Sequence, residues 1–384
     1  MNDLTEIIKE EIINKGGITF AEFMETALYH PGLGYYTSGG ARVGKSGDYY
    51  TSPSVDPAFG EVLAGFIARS ASLLNAPGLR VMEFGGGAGT LAGDILDSLE
   101  RNHPECYARA EYLIIEKRSP TPDALDKELE KHGAKIEFIS DISEMGPDGV
   151  SGIILSNELV DALPFHRVRF RGGSLSEIFV TLRNNEFAEV EGEPSTPEIS
   201  RYFDGYGISF RDGQEAEVNL NARRWLEAAD KALKKGFILT IDYGFLAPEL
   251  YGPERMKGTY KCMHKHSISE NPYENIGGQD ITAHVDFSNL IRTGDSLGLK
   301  KIKYTTQGQF LIDWGVLDFM SAGMYGGESL SADETFKRNR AIKNLFLPDS
   351  MGNSFKVLLQ SKNIETSIED FYPESTLKLS FGVL

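Results

Sequence analysis

The stretch EFGGGAGTL, from Glu83 to Leu91, decides the fold of this 384-residue chain. Gly85 directly follows LRVMEF, a mostly apolar run that predicts a short buried strand, and Gly87 and Gly89 come after it at every second position. Glycine has no Cβ, so the backbone can turn sharply and approach a ligand closely. The next segment, TLAGDILDSLE, predicts a helix whose first turn offers unpaired N–H groups. The pattern therefore predicts a strand, a ligand-binding turn and a helix.

Two cofactor classes use such a turn, and the spacing separates them. Dinucleotide enzymes need G-x-G-x-x-G/A. Counted from Gly85, that pattern fails at Thr90, and counted from Gly87 it reaches only Ala92. The turn of S-adenosylmethionine (SAM) methyltransferases resembles E-x-G-x-G-x-G, which Glu83 and the three glycines match. A carboxylate before the turn favours a cationic cofactor over a pyrophosphate, and a purely structural turn is the alternative.

Strands and helices alternate on both sides of this turn. The runs EYLIIEK, AKIEFIS, VSGIILSNE, FILTIDYG, KKIKYTTQ and FKVLLQSK predict strands, and WLEAADKALKKG predicts a helix with Gly236 past its end. Such alternation indicates parallel βαβ units, so we expect an α/β fold with a doubly wound, Rossmann-like sheet. HRVRF, SEIFVTL and FAEVEG predict an antiparallel β insertion.

These patterns predict four segments. Residues 1–78 form a helical N-terminal cap with a Gly/Tyr-rich loop, and its second helix starts at a Thr19–Glu22 capping box. Residues 79–165 and 220–384 form the core, which contains a loop-rich insertion at 245–283. Residues 166–219 form the antiparallel insertion.

Composition limits the partners. There are 56 acidic and 39 basic side chains, a net charge of −17, which disfavours nucleic acid and anionic membranes. No apolar run approaches the ~18 residues of a membrane helix, and we expect neither a signal nor a transit peptide. Cys106 and Cys262 form no paired motif and suit a reducing compartment, so we expect a cytoplasmic protein.

Acidic residues follow the next two predicted strands. Glu116 ends EYLIIE, where a carboxylate can accept hydrogen bonds from ribose hydroxyls, and a solvated glutamate is the alternative. Asp141 and Ile142 follow AKIEFIS, where an acid can accept an adenine amino group beside an apolar neighbour. A helix-capping role for Asp141 is the alternative.

The segment SNELVDALP follows the fourth strand. Asn157, Glu158 and Asp161 bring an amide and two carboxylates to a strand end, and paired carboxylates match the donor fork of a guanidinium. Acids that complement a helix dipole are the alternative. His284, in QDITAHVDF, is a candidate site wall or proton carrier, with a core role as the alternative. We expect no metal, because His264-x-His266 has no apparent third ligand.

Several blocks together resemble one family. They are HPGLGYYTSG, GDYYTSPSVDPAFGEVLA, EFGGGAGTLAGDIL, SNELVDALPFHRV, EVNLNARRWL, LTIDYGF, GGQDITAHVDF, TQGQFL and MGNSFKVLL, in order from about residue 18 to 362. The chain is similar to the MidA-like (mitochondrial dysfunction A) SAM-dependent methyltransferases. Mitochondrial members of that family are protein arginine methyltransferases linked to respiratory complex I assembly.

The resemblance implies a class I methyltransferase sheet, SAM as methyl donor and a protein arginine as acceptor, in a complex I-type subunit. It implies these site residues: Gly85, Gly87, Gly89 and Glu116 at the cofactor, Gly47, Asp48 and Ser52 in a loop closing over it, and Asn157, Glu158 and Asp161 at the acceptor. The family turn usually reads closer to GPGRGT. Gly86 and Ala88 depart from it, which predicts a looser, less charged turn.

Three other functions stay open at this point. They are a methyltransferase acting on a small metabolite, a SAM-binding assembly factor without turnover, and a nicotinamide dehydrogenase. The sequence also leaves the oligomeric state open, with a homodimer among the options.

Overall fold

The computed structural model describes residues 3–38, 51–74, 76–117, 127–145, 149–321, 324–325, 328–365 and 371–372. The α-helices are α1 (Asp3–Lys15), α2 (Phe20–Tyr29), α3 (Ser52–Val55), α4 (Ala58–Leu74), α5 (Thr90–Asn102), α6 (Pro104–Arg109), α7 (Pro197–Arg201), α8 (Leu220–Ala232), α9 (Ala247–Leu250), α10 (Phe287–Leu297), α11 (Gln307–Asp313), α12 (Val316–Ser321), α13 (Ala332–Phe346) and α14 (Met351–Ser354). Short 3-10 helices span Lys127–Lys135 and Ile142–Met145.

The strands are β1 (Ile18–Thr19), β2 (Leu79–Phe84), β3 (Ala110–Ile115), β4 (Ile136–Ile139), β5 (Val150–Asn157), β6 (His166–Arg171), β7 (Ser174–Arg183), β8 (Glu186–Gly192), β9 (Glu215–Val218), β10 (Leu233–Phe245), β11 (Lys261–His264), β12 (Ser267–Ser269), β13 (Asp280–Thr282), β14 (Val285–Asp286), β15 (Lys300–Thr306), β16 (Met324–Tyr325), β17 (Glu328–Ser329) and β18 (Phe355–Lys362).

The chain divides into two compact units, each built from three segments. The antiparallel unit comprises Met1–Tyr49, Val160–Leu226 and Tyr243–Thr293. The parallel-sheet unit comprises Tyr50–Leu159, Glu227–Asp242 and Gly294–Leu384. The segments expected from the sequence are divided differently: the cap predicted over 1–78 is split between the units, because α3 and α4 belong with the parallel sheet.

The sheet of the parallel-sheet unit has the strand order β15-β18-β10-β5-β2-β3-β4. All neighbouring pairs from β10 to β4 are parallel, whereas β15 runs antiparallel to β18. β18, the last of these strands in the chain, lies between β10 and β15. This arrangement confirms the expected doubly wound α/β sheet. The turn after β2 and the ends of β3, β4 and β5 therefore share one edge of the sheet.

The helix predicted over WLEAADKALKKG is wrong at both ends. α8 begins earlier, at Leu220, and the chain is already in β10 at Leu233. Gly236 lies inside strand β10 and therefore does not cap the helix. A Cβ at this position would lie 1.8 Å from the Gly152 carbonyl oxygen, so only glycine fits there. Close approach of the paired strands β5 and β10 therefore explains this glycine.

The antiparallel unit contains the sheet β1-β7-β6-β9, with β8 also paired to β7. The antiparallel pairing of β6, β7 and β8 confirms the predicted insertion, and the Thr19–Glu22 capping box forms at the start of α2. The loop-rich prediction for 245–283 is incomplete, because β11, β12 and β13 form a small sheet there. These strands have three or four residues, too few for a clear alternating pattern.

Across the described ranges, no helix combines the length and apolar composition of a membrane span.

Candidate cofactor and acceptor sites

The glycine turn after β2 has the backbone that its sequence predicts. The φ angles of Gly85, Gly87 and Gly89 are +74°, +55° and +85°, a region that side chains with a Cβ rarely adopt. A Cβ on Gly89 would also lie 2.5 Å from Leu129 Cδ2. Helix α5 starts directly afterwards at Thr90, so its first N–H groups lie beside the turn.

Gly86 is tightly surrounded. A Cβ there would lie 2.9 Å from Ile114 Cγ2 and 3.0 Å from Glu83 Cδ. The space that the family's proline would need is therefore filled by these two side chains. This side of the turn is packed, in contrast to the looser turn expected from the sequence.

Glu83 lies on β2 and is only 4% exposed. The Tyr112 hydroxyl donates a hydrogen bond of 2.9 Å to Glu83 Oε2. Burial raises the pKa of Glu83 to about 7; the hydrogen bond from Tyr112 opposes this shift, and the nearby Glu116 carboxylate adds to it. A cation placed at this edge of the sheet would favour the ionised form of Glu83.

Glu116 directly follows β3 and is half-buried. Its Oε2 accepts a hydrogen bond of 3.1 Å from the Gly87 amide, so the carboxylate is tied to the glycine turn. Burial raises the pKa of Glu116, and hydrogen bonds from the Gly87 and Lys117 amides oppose the shift. Glu116, an acceptor beside the glycine turn, is suited to the hydroxyls of SAM. The buried acid Glu83 is suited to its cationic groups.

Asp141 is exposed at the end of β4, and Ile142 is half-buried beside it. The Asp141 amide donates to Glu144 Oε1 at 3.0 Å, and the Ser140 amide donates to the same oxygen. Glu144 thus caps the 3-10 helix that starts at Ile142. An adenine-binding role for Asp141 and Ile142 stays a prediction. Gly47 and Asp48 lie outside the described residues.

Glu158 directly follows β5 and has a φ of +53°, which is unusual for a residue other than glycine. Its amide donates to the Ile241 carbonyl oxygen at 3.0 Å. Its Oε1 accepts two hydrogen bonds, from the Ser52 amide at 3.2 Å and from Asn157 Nδ2 at 3.0 Å. Backbone conformations of this kind persist where the surroundings impose them, and they concentrate at functional sites.

Ser52 is the first residue of α3 and is fully buried. Its hydroxyl donates to Gln307 Oε1 at 3.2 Å, while its amide holds Glu158. The predicted cofactor contact of Ser52 stays a prediction. Two further residues of the site were not predicted from the sequence: Gln307, which lies in the TQGQFL block, and Tyr112, the second residue of EYLIIEK.

Asp161 and His284 belong to the antiparallel unit, whereas Asn157 and Glu158 belong to the parallel-sheet unit. Asp161 is buried, and its carbonyl oxygen accepts a hydrogen bond of 3.0 Å from the Ala283 amide. The His284 ring lies 5.2 Å from the ring of Phe245, centre to centre, and its amide donates to Thr259 Oγ1. The catalytic roles predicted for Asp161 and His284 stay predictions.

Within the described part of the chain, one group has the donors for a metal ion: Asp97, Glu100 and His132. Both ring nitrogens of His132 already have partners, since Tyr107 Oη lies 2.7 Å from Nδ1 and Asp97 Oδ1 lies 2.7 Å from Nε2. Lys131 also binds Asp97. Hydrogen bonding between α5, α6 and the first 3-10 helix accounts for this cluster.

Comparison with known proteins agrees with this geometry. A family of S-adenosyl-L-methionine-dependent methyltransferases matches residues 62–305. The Drosophila melanogaster protein named mitochondrial protein arginine methyltransferase NDUFAF7 homolog is 24% identical over 400 residues, covering 96% of this chain and 87% of that protein. The human protein arginine methyltransferase NDUFAF7 is 28% identical over 349 residues, covering 82% and 74%.

A solved structure is similar over nearly its whole length. It is a COG1565 superfamily member from Burkholderia thailandensis bound to S-adenosyl-homocysteine (SAH), with a TM-score of 0.86 and 28% identity, covering 97% of this chain and 96% of that one. The likeness agrees with a class I methyltransferase fold and with SAM as the cofactor. The chain therefore belongs to this family of SAM-dependent methyltransferases, as its resemblance to the MidA-like proteins implied.

Proposed function

We propose that the protein transfers a methyl group from SAM to an arginine side chain of a protein, and that Glu158 holds the guanidinium. The observation that carries the proposal is the orientation of Glu158. A strained backbone and two donors on Oε1 fix its carboxylate at the end of β5. The names of the relatives, which are protein arginine methyltransferases, support the choice of acceptor.

A guanidinium is a suitable ligand for such a carboxylate. It presents a planar fork of N–H donors and stays protonated, because its pKa exceeds about 12. A nitrogen that takes up a methyl group must therefore give up one proton. A carboxylate that holds the fork can orient the nitrogen and accept that proton.

The residues around the glycine turn would hold the cofactor. Gly85, Gly87 and Gly89 would let the backbone approach SAM closely, and Glu116 would accept hydrogen bonds from its hydroxyls. Glu83 would lie near the cationic groups of SAM. When bound, SAM supplies an electrophilic methyl group. A subunit of the respiratory complex I type is the acceptor protein that the family resemblance implies.

The proposal is tested by incubating the protein with methyl-labelled SAM and an arginine peptide. A matched peptide with lysine in place of arginine and free arginine serve as the other acceptors. We expect label on the arginine peptide only, recovered as methylarginine after hydrolysis. Label on lysine, or only on the small molecule, would contradict the proposal.

Glu158→Gln keeps the size of the side chain and removes its charge. We expect methyl transfer to fall about 100-fold, since both orientation and proton acceptance depend on the carboxylate. Glu137→Gln is the matched control, because Glu137 is exposed on β4 of the same sheet. Equal activity of the two variants would remove Glu158 from the acceptor site.

A further inference from the structure

Gln307, the first residue of α11, is fully buried, and both polar atoms of its side chain are used. Its Nε2 donates to the Leu345 carbonyl oxygen at 2.9 Å, and its Oε1 accepts the Ser52 hydroxyl at 3.2 Å. A carbonyl oxygen can only accept, so the bond to Leu345 determines the orientation of the amide. Gln307 therefore joins the end of α13 to the start of α3.

The junction that carries Gln307 is closely packed. A Cβ on Gly308 would lie 2.3 Å from the Phe346 carbonyl oxygen, and a Cβ on Gly352 would lie 2.1 Å from the same atom. Two glycines thus let α11 and α14 approach the last turn of α13 closely. Dense packing of this kind leaves Gln307 little freedom to move.

The other end of α3 is also attached to α13. Asp56 directly follows α3, and its Oδ1 accepts a hydrogen bond of 2.9 Å from the Ala58 amide. Arg338, on α13, places its Nε 3.6 Å from Asp56 Oδ1 and its Nη2 3.2 Å from Glu61 Oε2. The helix α3 is therefore held at both ends by the C-terminal helices.

The position of α3 matters because the Ser52 amide is one of the two donors on Glu158 Oε1. The side chain and the backbone of Ser52 act at different places. The hydroxyl binds Gln307, and the amide binds the carboxylate that the proposed function assigns to the acceptor arginine.

We infer that Gln307 is a positioning residue for the transfer reaction: through Ser52 it holds the amide that orients Glu158. This inference rests on the proposed function. It also gives the TQGQFL block a role. Gln307 links α11 to both α3 and α13 by hydrogen bonds, and Gly308 lets α11 pack closely against α13.

The test is a double-mutant cycle with Gln307→Met and Ser52→Ala, measured on the full-length protein with the arginine peptide. We expect each single change to raise the KM for the peptide roughly tenfold, because a shift of the carboxylate weakens its hold on the guanidinium. A loss of folded protein would lower the apparent kcat at constant KM instead. Calorimetric affinity for SAH should change less than about twofold in Gln307→Met.

If Gln307 acts through Ser52, the double variant is no worse than the worse single variant. Multiplied effects, roughly 100-fold in KM, would show independent roles and overturn the inference. An unchanged KM in Gln307→Met would overturn it too, as would an equal loss of SAH affinity.

Matched controls separate positioning from stability. Gln309→Met makes the same substitution two residues along α11, where the side chain binds Asp313. Ser70→Ala removes a buried hydroxyl that donates to the Phe66 carbonyl oxygen. Neither should raise the peptide KM. If Gln307→Met does not fold, Ser52→Ala compared with Ser70→Ala tests the Ser52 end of the same hydrogen bond, and a peptide KM that is equal in the two variants would overturn the inference.

A crystal structure of Gln307→Met distinguishes failure of the inference from failure of the proposed function. We expect the distance from the Ser52 amide to Glu158 Oε1 to exceed the 3.2 Å found here. If the unaltered protein methylates no arginine but this distance lengthens, the proposed function fails and the positioning role stands. If it methylates arginine and the distance is unchanged, the inference fails.

Discussion

Two buried glutamates, one in each unit, differ in what surrounds them. Glu217, on β9 of the antiparallel unit, is 7% exposed, and Glu83 is 4% exposed. Glu217 accepts hydrogen bonds from the Thr259 amide, the Thr259 hydroxyl and the Tyr260 amide, at 2.9 to 3.1 Å. Glu83 accepts one from Tyr112, and the charge that acts on it comes from another carboxylate.

This difference separates a structural acid from an acid suited to a ligand. Burial raises the pKa of both, but the Arg167 guanidinium and three donor groups counteract the shift at Glu217. At Glu83 the Glu116 carboxylate increases the shift. Donors and a cation of its own unit thus offset part of the effect of burial on the charge of Glu217, whereas a cationic cofactor would have to do so for Glu83. The following predictions test this contrast.

The largest effect is expected for Glu217→Gln. An amide cannot replace a carboxylate that accepts from three donors, so the free energy of unfolding should fall by about 3 kcal/mol. Calorimetry would measure this as a lower melting temperature. The affinity of the folded protein for SAH should be unchanged, and a matching loss of affinity would contradict the contrast.

Glu116→Ala should weaken SAH binding about 30-fold, or about 2 kcal/mol, because a charged acceptor is lost at the glycine turn. Isothermal titration measures the change. Glu111→Ala is the control, since Glu111 is exposed on the same strand and pairs with Arg80. Equal affinities of the two variants would place Glu116 outside the cofactor site.

Glu83→Gln should lower SAH affinity about tenfold, or about 1.4 kcal/mol, by removing a negative charge that would favour the α-ammonium group of SAH. Above pH 7 it should not lower the melting temperature, because the ionised carboxylate is disfavoured by burial. A loss of stability like that of Glu217→Gln would break the comparison.

The smallest expected effect is the pH dependence of stability and of ligand affinity that Glu83 causes. The folded-state pKa of Glu83, about 7, lies above its ordinary 4.5, so its contribution to stability is fully present below pH 4.5 and is lost as pH rises through 7. A cation that binds nearby favours ionisation, and affinity should therefore rise over the same range. At pH 6, titrations with SAH in buffers of different ionisation enthalpy should show a net release of protons on binding. Glu83→Gln should abolish this release.

Local sequence patterns predict the central sheet well but not the C-terminal helices. Runs such as LRVMEF and VSGIILS are rich in apolar residues and lack strict alternation, which is typical of a sheet covered on both faces. The helices α11 and α14 have only seven and four residues. Contacts such as Gly308 and Gly352 against the Phe346 carbonyl determine where they lie, and no periodicity encodes such contacts.

In the candidate site too, some features follow from local sequence patterns and others depend on tertiary contacts. The glycine turn and Glu116 follow from spacing, because strand and turn are neighbours in sequence. The hydrogen bond from Ser52 to Glu158 joins residues 106 positions apart, and that from Ser52 to Gln307 spans 255. The positive φ of Glu158 likewise depends on tertiary contacts, since its residue type does not favour it.

The place of β18 in the sheet has a consequence for biosynthesis. β18 is the last strand of the sheet to leave the ribosome, yet it lies between β10 and β15. Until residues 355–362 emerge, β10 lacks this neighbour, and β15 has no antiparallel partner to dock on. Open strand edges of this kind favour association with other chains. We therefore expect the nascent chain to depend on chaperones late in its synthesis.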